Sequence, residues 1–105
     1  MDNLRAALSG DRMSDLCRRW KVAELAIFGS ALRDDFGADS DIDILVSFNA
    51  GARWGLFDLV RMEEELAALL GRAVDLVPRR AVEQSENYIR RNSILKDSEV
   101  FYAAG

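Results

Sequence analysis

The sequence predicts an α/β sandwich, a small mixed sheet of three to four strands packed against helices. Three observations carry this expectation. Apolar runs near 24–28, 41–48 and 73–77 have strand length, and longer stretches with three-to-four spacing separate them. The middle run alternates cleanly, with Asp41, Asp43, Leu45 and Ser47 on one face and Ile42, Ile44, Val46 and Phe48 on the other. The chain's only proline, Pro78, closes the third run.

The elements follow in order. Leu4, Ala7 and Leu8 form a short helical stripe interrupted at Ser9-Gly10. A second helix is predicted from Asp11 to about Trp20, with Met13, Leu16, Cys17 and Trp20 on one face. Residues 24–28 read as a strand apolar enough to be central. A short helix or turn follows Ser30, and 36–40 is loop. After the strand at 41–48 and a turn at 49–52, a helix spans 55–70, its apolar stripe including Leu56, Leu59, Leu66 and Leu70, with Gly71 as its C-cap. Strand three covers 73–77, a last helix about 84–97, and Val100-Phe101-Tyr102 is a terminal strand or tail.

Bulk properties exclude several classes of function. At 105 residues the chain is read as one domain, 1–105, with little room for a second lobe. Half of it is apolar and 30% is charged, which predicts a packed core rather than disorder. The net charge of −4 argues against nucleic-acid binding by bulk electrostatics. Without histidine, imidazole zinc sites and Ser-His triads are excluded, so any metal must be held by oxygen. The single Cys17 cannot form an internal disulfide and reads as apolar filler. No signal-peptide pattern or membrane-length apolar run is present, so a cytoplasmic protein is expected, with no membrane partner.

The chemistry concentrates in two places. Gly29-Ser30 ends an apolar strand and opens a turn, where backbone N–H groups and a hydroxyl can meet a phosphate. Ten residues further, Asp41 and Asp43 put two carboxylates on one strand face, roughly 6.5–7 Å apart. Such a pair repels unless a cation sits between its members, and it suits a hard divalent ion held against a polyphosphate. Asp75 is a third acid inside an apolar strand, and can approach the pair if strand three lies beside strand two. Three carboxylates of this kind suit phosphoryl or nucleotidyl transfer, the third helping to activate an acceptor hydroxyl. The competing reading pairs Asp75 with Arg72 or Arg79 at the surface. Arg33, one turn past Ser30, either reaches a phosphate or pairs with Asp34, Asp35 or Asp39. Trp20 and Trp54 read as packing residues. The helix at 55–70 carries more apolar residues than a small sheet can cover, Phe57, Val60 and Met62 among them, which points to an interaction surface.

Over roughly residues 10–102 the chain resembles the minimal nucleotidyltransferases of the polymerase-β superfamily. The matching pattern is Phe28-Gly29-Ser30, ten intervening residues, Asp41-Ile42-Asp43-Ile44, and Asp75 within Val74-Asp75-Leu76-Val77. Asp34 departs from it, since glycine commonly follows the arginine in this family. The resemblance implies a polymerase-β-like fold, with Asp41, Asp43 and Asp75 as catalytic metal ligands and Gly29, Ser30 and Arg33 as nucleotide-binding residues. It implies Mg²⁺, two ions, and ATP as substrate. Small stand-alone members are typically antitoxins that transfer AMP from ATP to a tyrosine of a helical HEPN-domain ribonuclease toxin, so the implied partner is such a toxin. Two other readings stay open: a non-catalytic ATP-binding antitoxin that neutralises its toxin by contact, and an enzyme modifying a small molecule or an RNA end.

Overall fold

The structure, a computed structural model, describes residues 2–29 and 41–104. Two helices come first, α1 (Asp2–Ser9) and α2 (Asp11–Arg19). Strand β1 (Val22–Phe28) starts two residues earlier than the apolar run predicted, and Lys21, at φ 56°, makes the turn into it. Strand β2 (Ile42–Phe48) and helix α3 (Leu56–Leu70) fall where the sequence put them. Gly71 ends α3 in the left-handed conformation, and its N–H donates to the Ala67 carbonyl. Strand β3 (Val74–Pro78) follows. The predicted turn after Ser30 and loop at 36–40 lie outside the described residues.

The predicted helix at about 84–97 begins later, as α5 (Tyr88–Asp97), and a short helix that the sequence reading did not include, α4 (Arg79–Glu83), precedes it. Pro78 provides the N-cap position of α4, and the Asn87 side chain caps α5 by accepting from the Arg90 N–H at 3.2 Å. The cap at Asn87 sets the helix start about four residues later than hydrophobic spacing alone suggested. The terminal segment forms strand β4 (Glu99–Ala103).

The four strands make one mixed sheet in the order β3-β2-β1-β4. β1 pairs antiparallel with both β2 and β4, while β2 pairs parallel with β3 through the α3 crossover. One sheet face carries the main core: Ile42, Ile44, Val46 and Leu76 pack with Met13, Leu16, Met62 and Leu66 from the helices. Cys17 is fully buried there, and burial pushes its thiol up to about 12, so it stays an unreactive apolar filler. Trp20 and Trp54 meet edge to face at 5.0 Å, and the Trp20 indole N–H donates to Glu65 at 2.8 Å. They are packing residues, as expected. The other face holds a smaller cluster of Ala26, Phe28, Leu45 and Val82, joined by Ile94 and Leu95 of α5.

That second face is the one on which Asp43 precedes Leu45 at strand spacing. Its exposed edge strand, β3, is tied to α3 by the Glu63 carboxylate, which accepts from the Leu76 N–H at 2.8 Å. This satisfies an edge donor and fixes the peptide next to Asp75.

Candidate active site

Strand β1 ends at Phe28, which lies opposite Asp43 of β2. On the far side of β2, Asp75 of β3 lies opposite the same Asp43. Residues in register across a sheet point to one face, so the two carboxylates share it. Asp41 stands two residues ahead of Asp43, just before β2 begins, and is exposed. The chain is anchored there because the Ile42 N–H donates to the Ala73 carbonyl at 2.9 Å. The condition set by the sequence, that strand three should neighbour strand two, is met.

Gly29 follows directly after β1 with φ 72°, a left-handed conformation that L side chains rarely adopt. A Cβ built on Gly29 would collide with the Asp43 carboxylate. Gly29 is therefore required twice, by its backbone angle and by the close approach of an acid. Ser30 and Arg33 lie outside the described residues.

The surface reading of Asp75 fares less well for one of its two partners. Arg79 is occupied by Glu24 at 3.3 Å and Glu83 at 3.4 Å. Asp75 itself is exposed, and its side chain makes no hydrogen bond or ion pair among the described residues.

Sequence reasoning missed one wall of the site. Helix α5 folds across the second sheet face, and a cleft of about 520 Å³ opens between it and the end of β1. Phe28, Gly29 and Asp43 line one side, Arg90, Ser93, Ile94 and Asp97 the other. Their spacing of three, four and seven along α5 puts those residues on one helix face. That pattern was legible; what it faces was not. Ser93 donates to Asp97 at 3.4 Å, within the same wall.

Among the described residues no three acidic or cysteine side chains come together as a group that could hold a metal ion. The donor set is nonetheless all oxygen, on adjacent positions of two neighbouring strands. A glycine turn at the end of one strand thus lies against acids on the next two, an arrangement whose chemistry suits a phosphate beside a divalent cation.

Residues 13–99 match the nucleotidyltransferase domain family, and the chain belongs to it. It belongs more narrowly to the minimal nucleotidyltransferases: a solved structure of a proposed member superimposes with a TM-score of 0.69 at 32% identity, covering 92% of this chain and 91% of that one. That likeness bears out the polymerase-β-like fold expected from the motif. The protein adenylyltransferase MntA of Thermococcus cleftensis is 44% identical over 63 residues, 60% of this chain and 62% of MntA. The chain thus matches less than two thirds of that relative's length. A further likeness, of fold alone at 22% identity and a TM-score of 0.61, is to a complex of the tri-AMPylated Shewanella oneidensis HEPN toxin with its MNT antitoxin, covering 99% of this chain and 74% of that one.

Proposed function

We propose that this protein is a Mg²⁺-dependent adenylyltransferase that moves AMP from ATP to a tyrosine of a helical HEPN-type toxin and so acts as its antitoxin. The observation that carries the reading is the juxtaposition at Asp43, with Gly29 crowding it on one side and Asp75 in register on the other. The names of the relatives support the acceptor and partner: one is an adenylyltransferase, another a complex with an AMPylated HEPN toxin.

Asp41, Asp43 and Asp75 fit Mg²⁺, because Mg²⁺ prefers oxygen donors and takes only one or two carboxylates beside substrate phosphates and water. Bound there, one or two such ions would neutralise charge on the triphosphate and on the departing pyrophosphate. The chain's own residues do the rest. Gly29 lets the backbone approach the phosphates, and Ser30 and Arg33 are assigned to the same phosphate end. Asp75, exposed on the edge strand, is assigned the proton of the acceptor hydroxyl, accepting it as the hydroxyl oxygen attacks the α-phosphorus and pyrophosphate leaves. In this reading the partner presents the acceptor hydroxyl to the site. Leu56 and Phe57 on α3 are 75% and 84% exposed, an apolar surplus that suits a protein-binding surface. No helix among the described residues is long and apolar enough to cross a membrane.

The test is co-expression with the product of the neighbouring reading frame, followed by intact-mass spectrometry. A stable complex whose partner gains the mass of AMP only when ATP is present is the expected result. A complex with no ATP-dependent mass change identifies a contact-only antitoxin instead. Asp75→Asn separates the steps: it should keep ATP binding within about threefold of wild type while transfer falls by roughly two decades or more. A folded Asp75→Asn protein with full transfer would return Asp75 to a surface role costing no more than about 1 kcal/mol in stability.

A further inference from the structure

We infer that α5 forms a wall of the nucleotide site and that Arg90 binds the polyphosphate of the incoming nucleotide. The inference rests on the nucleotide reading above and adds a residue that the Gly-Ser and Asp-x-Asp motif does not contain. The cleft between α5 and the end of β1 brings Arg90 into the same lining as Gly29 and Asp43. The other charged groups of that lining, Asp43 and Asp97, are acidic. A triphosphate entering a space bounded by carboxylates needs fixed positive charge besides any metal, and a guanidinium supplies it as a planar fork of donors.

Two features hold Arg90 in that position. Asn87 caps α5 through the Arg90 N–H, which fixes where the helix begins. Ile94 and Leu95 pack into the apolar cluster with Phe28 and Leu45, which fixes how the helix is rotated. The neighbouring Arg91 is committed elsewhere, donating to the Ser85 carbonyl at 3.5 Å. The Arg90 guanidinium donates to no partner among the described residues, so its fork is available to a ligand.

Calorimetric titration of wild type, Arg90→Ala and Arg90→Lys with ATP and with AMP, in Mg²⁺, tests this. Arg90 is exposed and its substitution should leave the circular dichroism spectrum and melting temperature almost unchanged. Arg90→Ala should weaken ATP binding roughly ten- to a hundredfold, the loss of one charge-assisted contact, and AMP binding less than about threefold. Arg90→Lys should recover part of the ATP affinity, keeping the charge without the fork. Wild type binding neither nucleotide would overturn the nucleotide reading and the role of Arg90 with it. Wild type binding ATP while Arg90→Ala binds it equally well would overturn the role of Arg90 alone. Equal losses for ATP and AMP would also overturn it, since the contact would then lie at the nucleoside.

Discussion

Asp43→Asn is expected to cut AMP transfer by about three orders of magnitude or more, with the protein still folded. Asp43 is the one acid that touches both halves of the proposed site, lying opposite Asp75 across β2–β3 and against Gly29 at the end of β1. An amide keeps the shape but removes the charge that would hold a divalent cation, a contribution of several kcal/mol to phosphoryl-type transition states. The fold should tolerate the change, because the amide matches the carboxylate in shape and Asp43 is only half-buried. Transfer is read as AMP incorporated into the co-purified partner, and stability as the thermal midpoint. A folded Asp43→Asn protein with wild-type transfer would remove the acids from the chemistry.

Gly29→Val should do damage of a different kind. Two effects combine. A β-branched residue at φ 72° is strained by about 1–3 kcal/mol, and its Cβ must push aside the Asp43 carboxylate that the proposed site uses. The protein is therefore expected to lose about 1–3 kcal/mol in urea denaturation and to lose ATP binding as well. Gly29→Ala, with the smaller side chain, separates the two effects. Stabilised at low temperature, it should remain folded yet bind ATP at least about tenfold more weakly, because its Cβ still intrudes beside Asp43. ATP binding at the wild-type level by folded Gly29→Ala would reduce the glycine to a turn former.

Much of the site was readable before any coordinates. Strand periodicity alone assigned Asp41 and Asp43 to one face of β2, and that face is the one bearing Leu45 and the second apolar cluster. The glycine C-cap of α3 was legible because left-handed backbone selects its residue. The helix predicted at about 84–97 starts only at Tyr88 because its beginning is set locally, by the Asn87 cap, and the short helix after Pro78 carries too few residues for apolar spacing to show. Capping competes with periodicity there, and the cap won. The apolar surplus on α3 was anticipated, but which residues would be left out was not. Met62 and Leu66 are fully buried while Leu56 and Phe57 are mostly exposed, a division set by where the helix axis crosses the sheet.

By itself the sequence determined the residue types of the site, the strand faces they occupy, and the absence of any nitrogen ligand other than the backbone and Arg, Lys, Asn, Gln or Trp side chains. These are local properties, since side-chain alternation and composition do not depend on what lies next to a strand. Only the tertiary structure decided that β3 sits beside β2 rather than beside β1, which sets Asp75 opposite Asp43. It alone brought α5 over the same face, setting Arg90 across the cleft from Gly29. Both are pairings between segments far apart in the chain, chosen by which arrangement buries Ile94, Leu95 and the two faces of β2 together, and burial of that kind belongs to the assembled core rather than to any one stretch of residues.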